Sequence, residues 1–131
     1  MAERGQLMGV ADEGGFWPAF ERTEEAPDAL ALAIERAGFR APDQVAIALD
    51  IASSEFGRGG RYRLALEDRD LSSAEMATLI EGWRRRYPIV SVEDPLAEDD
   101  WAGMADLTSR IGADTQIVGD DFLVTDAARV A

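Results

Sequence analysis

The apolar positions of this chain change rhythm from one end to the other, and the rhythm predicts alternating helices and strands. From Met1 to about Arg22 no period holds, and Gly14-Gly15 marks a tight backbone feature, so this stretch reads as irregular. Leu30, Ala33, Ile34 and Ala37 then fall at helical spacing. They predict a helix from about Glu24 to Ala37, with Pro27 in its first turn and Gly38 as its stop. Val45-Ala46-Ile47-Ala48-Leu49 is a continuous apolar run ending in Asp50, the pattern of a strand buried on both faces. Ser54-Glu55-Phe56 and Arg61 to Leu66 flank Gly59-Gly60, and Tyr62, Leu64 and Leu66 alternate with Arg61, Arg63 and Ala65, which predicts a hairpin.

The rhythm then returns to the helical period. Ser72-Ser73-Ala74-Glu75 fits a capping box, and Met76, Leu79, Ile80, Trp83 and Tyr87 make a stripe that ends before Pro88. Ile89-Val90-Ser91-Val92 is a second strand, closed by Glu93-Asp94-Pro95. Asp99 or Asp100 caps a further helix with Trp101, Met104, Ala105 and Ile111 on one face and Gly112 after it. Gln116-Ile117-Val118-Gly119 is a third strand, followed by Asp120-Asp121, and Thr125 reads as the N-cap of one more helix. Strands alternating with helices at this spacing imply βαβ units and a parallel sheet, an α/β fold.

Three successive strands therefore end in acid, at Asp50, Glu93 and Asp120. In a parallel sheet or a βα barrel the C-terminal strand ends share one rim, and neighbouring strands lie about 4.8 Å apart. Three carboxylates brought together there would repel one another and resist ionisation, whereas a divalent cation would hold them. Each acid taken singly reads better as a cap for the helix that follows it; three in register on successive strands are harder to explain that way. Glu93-Asp94 and Asp120-Asp121 each offer two acids, and a shift of one residue in register exchanges which faces inward. Glu13, beside Gly14-Gly15, reads by itself as a solvated loop acid.

Composition narrows the chemistry. The 131 residues, 47% of them hydrophobic, suit one domain with a modest core. There is no cysteine and no histidine, and all 13 basic residues are arginine. Disulfides and thiolate zinc sites are excluded, and any metal must be bound by oxygen, which points to Mg2+, Mn2+ or Ca2+. Arginine is no ordinary general base, so proton chemistry falls to Asp, Glu, Tyr or a group from elsewhere. The net charge of −13 disfavours nucleic acid as a partner and is equally read as plain solubility. No apolar run is long enough to span a membrane and no secretory leader is evident, which permits a cytoplasmic location.

The motifs resemble those of the enolase family. Asp12-Glu13-Gly14-Gly15-Phe16 looks like the family's D-E-G-G-F loop, and Ala48-Leu49-Asp50-Ile51-Ala52-Ser53-Ser54-Glu55-Phe56 is similar to its A-L-D-x-A-x-S-E-F segment. Tyr87 to Pro95 resembles Y-P-I-V-S-I-E-D-P, Ala97 to Trp101 resembles A-E-D-D-W, and Val118 to Asp121 matches V-G-D-D. Order and spacing agree across nearly the whole chain. The resemblance implies residues 1–131 as the central part of the family's C-terminal (β/α) barrel, with about three parallel strands, helices and one hairpin. It implies Asp50, Glu93 and Asp120 as Mg2+ ligands, and Glu13 as one of the acids that help expel the substrate's C3 hydroxyl. The activity implied is the Mg-dependent, reversible dehydration of 2-phosphoglycerate to phosphoenolpyruvate in glycolysis. A cytoplasmic homodimer is implied for the full-length protein.

There are departures. Ala11 stands where the family has Gly, Trp17 and Ala19 replace the usual residues around Pro18, and Asp126-Ala127 stand where Asn-Pro is common. The larger one is extent. The family's N-terminal domain, its remaining barrel strands and its catalytic lysine have no counterpart, and a full barrel needs at least about 200 residues. A chain of these residues alone is therefore expected to be inactive and prone to self-association. Two other readings remain: a non-catalytic Mg-binding or interaction protein derived from an enolase, and another lyase or racemase built on the same carboxylate triad. The five local motifs favour enolase over the second of these.

Overall fold

The computed structural model of the protein describes all residues, 1–131. Its elements, in chain order, are β1 (Leu7–Val10), β2 (Phe16–Pro18), α1 (Glu25–Arg36), β3 (Ile47–Asp50), β4 (Gly57–Arg58), β5 (Arg61–Leu64), β6 (Arg69–Ser72), α2 (Ser73–Arg86), β7 (Ile89–Glu93), α3 (Trp101–Ile111), β8 (Gln116–Val118) and α4 (Ala127–Val130). Short 3-10 turns lie at Ala2–Arg4 and Ser53–Glu55. No helix is long and apolar enough to cross a membrane.

The three acid-terminated strands form one parallel sheet in the order β3-β7-β8. Leu49, Val92 and Ile117 are in register on one face, and Asp50, Glu93 and Val118 one residue further on the other. The first face packs on α2 and α3, where Met76, Ile80, Trp83, Leu107 and Ile111 are buried. The second face is open, with Ala48 and Gln116 exposed. The β3 run thus reads as doubly buried but is covered on one side only. Three parallel strands do not close round on themselves, so no other strand or side-chain layer lies across that face, as it would in an eight-stranded barrel.

Local chemistry accounts for the elements. Ser72 accepts from the Glu75 N–H while the Glu75 carboxylate accepts from the Ser72 N–H, the reciprocal capping box at the start of α2. Asp100, not Asp99, caps α3 by accepting from the Gly103 N–H at 3.0 Å. The buried face of α3 is Met104, Leu107 and Ile111; Ala105 is exposed, and Trp101 sits at the helix end against Phe122, centroids 4.5 Å apart. Gly59 and Gly60 both take positive φ, 57° and 72°, in the two-residue turn joining β4 to β5.

Four expectations are corrected. The N-terminal stretch is not irregular: β1 and β2 pair as an antiparallel hairpin, a sheet of their own. The glycine-turn hairpin has a third strand, β6, paired to β5. Of the α1 stripe, Leu30, Ala33 and Ala37 are exposed, whereas Ile34 is partly buried against the core; Pro27 is the fully buried residue of that helix. Thr125 does not cap the last helix. Its φ of 55° is left-handed, whereas Asp126 has the extended backbone a cap needs and accepts from the Ala128 N–H.

Candidate metal centre

Parallel strands deliver their last residues to one rim, and here each delivers acid. Asp50 and Glu93 are direct cross-strand partners. The ladder continues past them: the Ile51 N–H donates to the Glu93 carbonyl at 3.0 Å, the Ser53 N–H to the Asp94 carbonyl at 3.1 Å, and the Asp94 N–H to the Val118 carbonyl at 2.9 Å. The three strand ends are thereby stitched into one platform. Buried Ser53 adds a hydroxyl bond to the Pro95 carbonyl at 2.8 Å.

Side-chain oxygens of Asp50, Glu93 and Asp94 lie within 4.8 Å of one another. Asp50 is exposed, Glu93 partly exposed, and Asp94 only 3% exposed. One Asp50 oxygen accepts from the Ala52 N–H at 3.1 Å, an Asx-type turn that aims the side chain along the rim. Asp120 lies two residues beyond the end of β8 and outside the group of three. Its backbone is nonetheless anchored to that group, because its N–H donates to an Asp94 oxygen at 3.1 Å. Glu13 sits at the exposed tip of the β1–β2 hairpin, whose sheet is separate from the one carrying the rim.

The electrostatics are those of crowded carboxylates. Partial burial, then the charges of Asp50, Asp120, Asp94 and Asp121, push the Glu93 carboxyl above its ordinary range. Burial, then Asp94, Asp120, Asp50 and Glu55, do the same to Asp121. Asp120 and Asp121 are therefore electrically part of the rim even though neither is in the tightest group. The donors are all carboxylate oxygens, in a chain without histidine or cysteine. Such a set fits a hard divalent cation, which would relieve the mutual repulsion of these carboxylates.

Beside the rim lies an apolar cavity of about 370 Å³ that Asp50 lines together with Leu49, Phe56, Leu64 and Trp83. Sequence reasoning missed the role of Asp94, which is taken up by the backbone of the next loop, and a second buried polar cluster. In that cluster the Tyr62 hydroxyl and the Ser73 hydroxyl both donate to Asp100, and Tyr62 accepts from the Ala97 N–H at 3.0 Å. Only the Asp100 cap itself had a local sequence signal.

The family model described as the enolase C-terminal TIM barrel domain matches residues 2–131. The match spans the hairpin, the meander and the acid rim alike. It places the function within enolase-superfamily chemistry of the lyase type, with a small molecule as substrate. This α/β chain, with its three-stranded parallel sheet, belongs to the family of the enolase C-terminal barrel domain.

Proposed function

We propose that these residues carry the Mg2+ site of an enolase proper, a phosphopyruvate hydratase that interconverts 2-phosphoglycerate and phosphoenolpyruvate in glycolysis. The observation that carries the reading is the pairing of Asp50 with Glu93 at adjacent parallel strand ends, with Asp120 anchored beside them, in a chain matched almost end to end by the enolase domain. Asp50, Glu93 and Asp120 are the proposed ligands. A bound Mg2+ would supply positive charge where a substrate carboxylate gains charge as the neighbouring proton leaves. The chain's own part is to hold oxygen donors at fixed spacing on the C-terminal rim of the sheet, the side on which barrel enzymes bind substrate. Glu13 is proposed to act on the C3 hydroxyl, which requires the β1–β2 hairpin to approach the rim. Residues 1–131 are read as one partial barrel domain of a cytoplasmic protein that is homodimeric at full length.

The lysine that serves the family as base has no counterpart among these residues. A purified chain of the 131 residues is therefore expected to bind Mg2+ weakly and to turn over negligibly, since loss of the base costs several orders of magnitude. Calorimetric titration with Mg2+ should show binding that Asp50→Asn weakens by more than about tenfold, the scale known for groups that only orient ligands. Binding unaffected by that substitution rules out the metal site. The second reading is a non-catalytic Mg-binding or interaction protein derived from an enolase. Phosphoenolpyruvate formation by the 131-residue chain would eliminate it, and would also remove the need for an outside base.

A further inference from the structure

Of the acids on the rim, the most buried has the fewest free lone pairs. Asp94 is 3% exposed, and its carboxylate accepts three backbone N–H bonds: one oxygen from Asp120 at 3.1 Å and Phe122 at 3.2 Å, the other from Asp121 at 2.9 Å. A carboxylate has about four acceptor sites, so three are in use before any ion arrives. Its main chain is engaged as well, through the Val118 carbonyl on one side and the Ser53 N–H on the other. Its φ of 41° is left-handed, a conformation that Asp tolerates better than most residues and that persists because the surrounding bonds over-determine it.

We infer that Asp94 is the positioning residue of this rim and not a metal ligand. Its carboxylate clamps the Asp120–Phe122 turn and thereby fixes where the Asp120 side chain stands relative to Asp50 and Glu93. Distance alone would admit Asp94 as a ligand, because its oxygens lie within 4.8 Å of those of Asp50 and Glu93. Bond accounting decides otherwise. Turning it toward an ion would strip charge-assisted bonds from three N–H groups, one of them buried and two part-buried, whereas Asp50 and Glu93 have free oxygens to offer. The metal readout below rests on the proposed site; the clamp itself does not.

Amide hydrogen exchange on the full chain tests it. Without metal, the N–H groups of Asp120, Asp121 and Phe122 should be protected although two of the three residues are exposed. Free exchange at these amides in the native chain overturns the inference. Adding Mg2+ should leave that protection unchanged or raise it; a loss on adding Mg2+ means that Asp94 has turned to the ion, and overturns it. Asp94→Asn keeps the backbone conformation and one acceptor oxygen. It should speed exchange at the three amides by roughly tenfold or more, with α2 unaffected. Mn2+ affinity, read by electron paramagnetic resonance, should fall by about tenfold with it, as for other groups that orient ligands. Asp50→Asn should abolish Mn2+ binding while the three amides stay protected. Unchanged exchange in Asp94→Asn overturns the clamp. Faster exchange with full Mn2+ affinity overturns its positioning role. Failure of the native chain to bind Mn2+ would sink the metal reading alone, and the exchange of the native chain would still judge the clamp.

Discussion

Tyr62 shows how much one side chain can carry here. Fully buried, it donates to Asp100 at 2.7 Å and accepts from Ala97 at 3.0 Å, joining the β5 strand to the segment that follows the rim. Burial first, and then the bond to Asp100, push its hydroxyl well above the ordinary value of 10. Tyr87 is pushed up to about 12, again by burial first and then by its bond to Asp28. Both folded values are raised, so the stability they contribute is full below pH 10 and is lost as pH rises beyond it, where the unfolded chain ionises and the folded chain does not. With no lysine, histidine or cysteine to titrate alongside, the melting temperature should start to fall near pH 10, and tyrosinate absorbance should appear together with unfolding. Tyrosinate forming in a chain that stays folded would refute this. Tyr62→Phe should cost about 1.5–3 kcal/mol, the range for a bond to a charged group. The sequence shows little of this, because the two partners are 38 residues apart. Asp94 is hidden for a different reason. A residue before proline is normally extended, so nothing in Glu93-Asp94-Pro95 announces a left-handed φ of 41° and a carboxylate turned toward the next loop.

Elements were legible in proportion to how local their causes are. The Ser72–Glu75 box, the Gly59-Gly60 turn and the α2 stripe depend on residues a few positions apart, and all three stand where spacing puts them. The strand β6 was missed because Arg69-Asp70-Leu71-Ser72 has a single apolar residue, too few to show alternation; its place comes from pairing with β5. The β1–β2 hairpin was missed because Gly9 and Pro18 interrupt its pattern. The rim was legible in outline, since three acid-terminated strands in one parallel sheet follow from βαβ spacing, whereas the offset of Asp120 beyond β8 depends on loop bonds no spacing encodes. Helix caps provide a test at this scale. Ser72→Ala should cost about 1 kcal/mol, as an ordinary N-cap does. Asp100→Ala should cost clearly more, because it also strips the acceptor from the buried Tyr62 hydroxyl and from Ser73. Burial alone would raise the Asp100 carboxyl, but the bonds from Ser73, Tyr62 and Gly103 outweigh it and hold the group below its ordinary 3.8. Its contribution is therefore present above that value and fades as pH falls through the lower folded one, so the gap between the two variants should narrow in acid. Equal melting temperatures for both at neutral pH would argue against the network.

At the scale of the whole molecule, two opposed features meet. Only 23 of the 131 residues are buried, and one face of the parallel sheet has nothing across it. Both β3 and β8 are unpaired edges, and Val90 of β7 is 44% exposed. On the β1–β2 hairpin Phe16 and Trp17 are 69% and 64% exposed. Open edges beside apolar surface are templates for pairing with another chain. Against that stands a net charge of −13, whose mutual repulsion keeps copies apart at low ionic strength. Salt should decide between them, because the screening length shrinks from about 30 Å at ~0.01 M to about 3 Å at ~1 M. A purified chain should thus sediment as small species in dilute buffer and grow in mass as salt is added, more so at higher protein concentration. Val90→Lys, which replaces exposed apolar surface by a charge, should reduce that growth, and a divalent cation at roughly ten times its Kd should oppose it by favouring the folded rim by about 1.4 kcal/mol. A monodisperse monomer with one sharp melt at both salt extremes would mean that the exposed face is not sticky, and that three strands with two packed helices are sufficient for a stable domain.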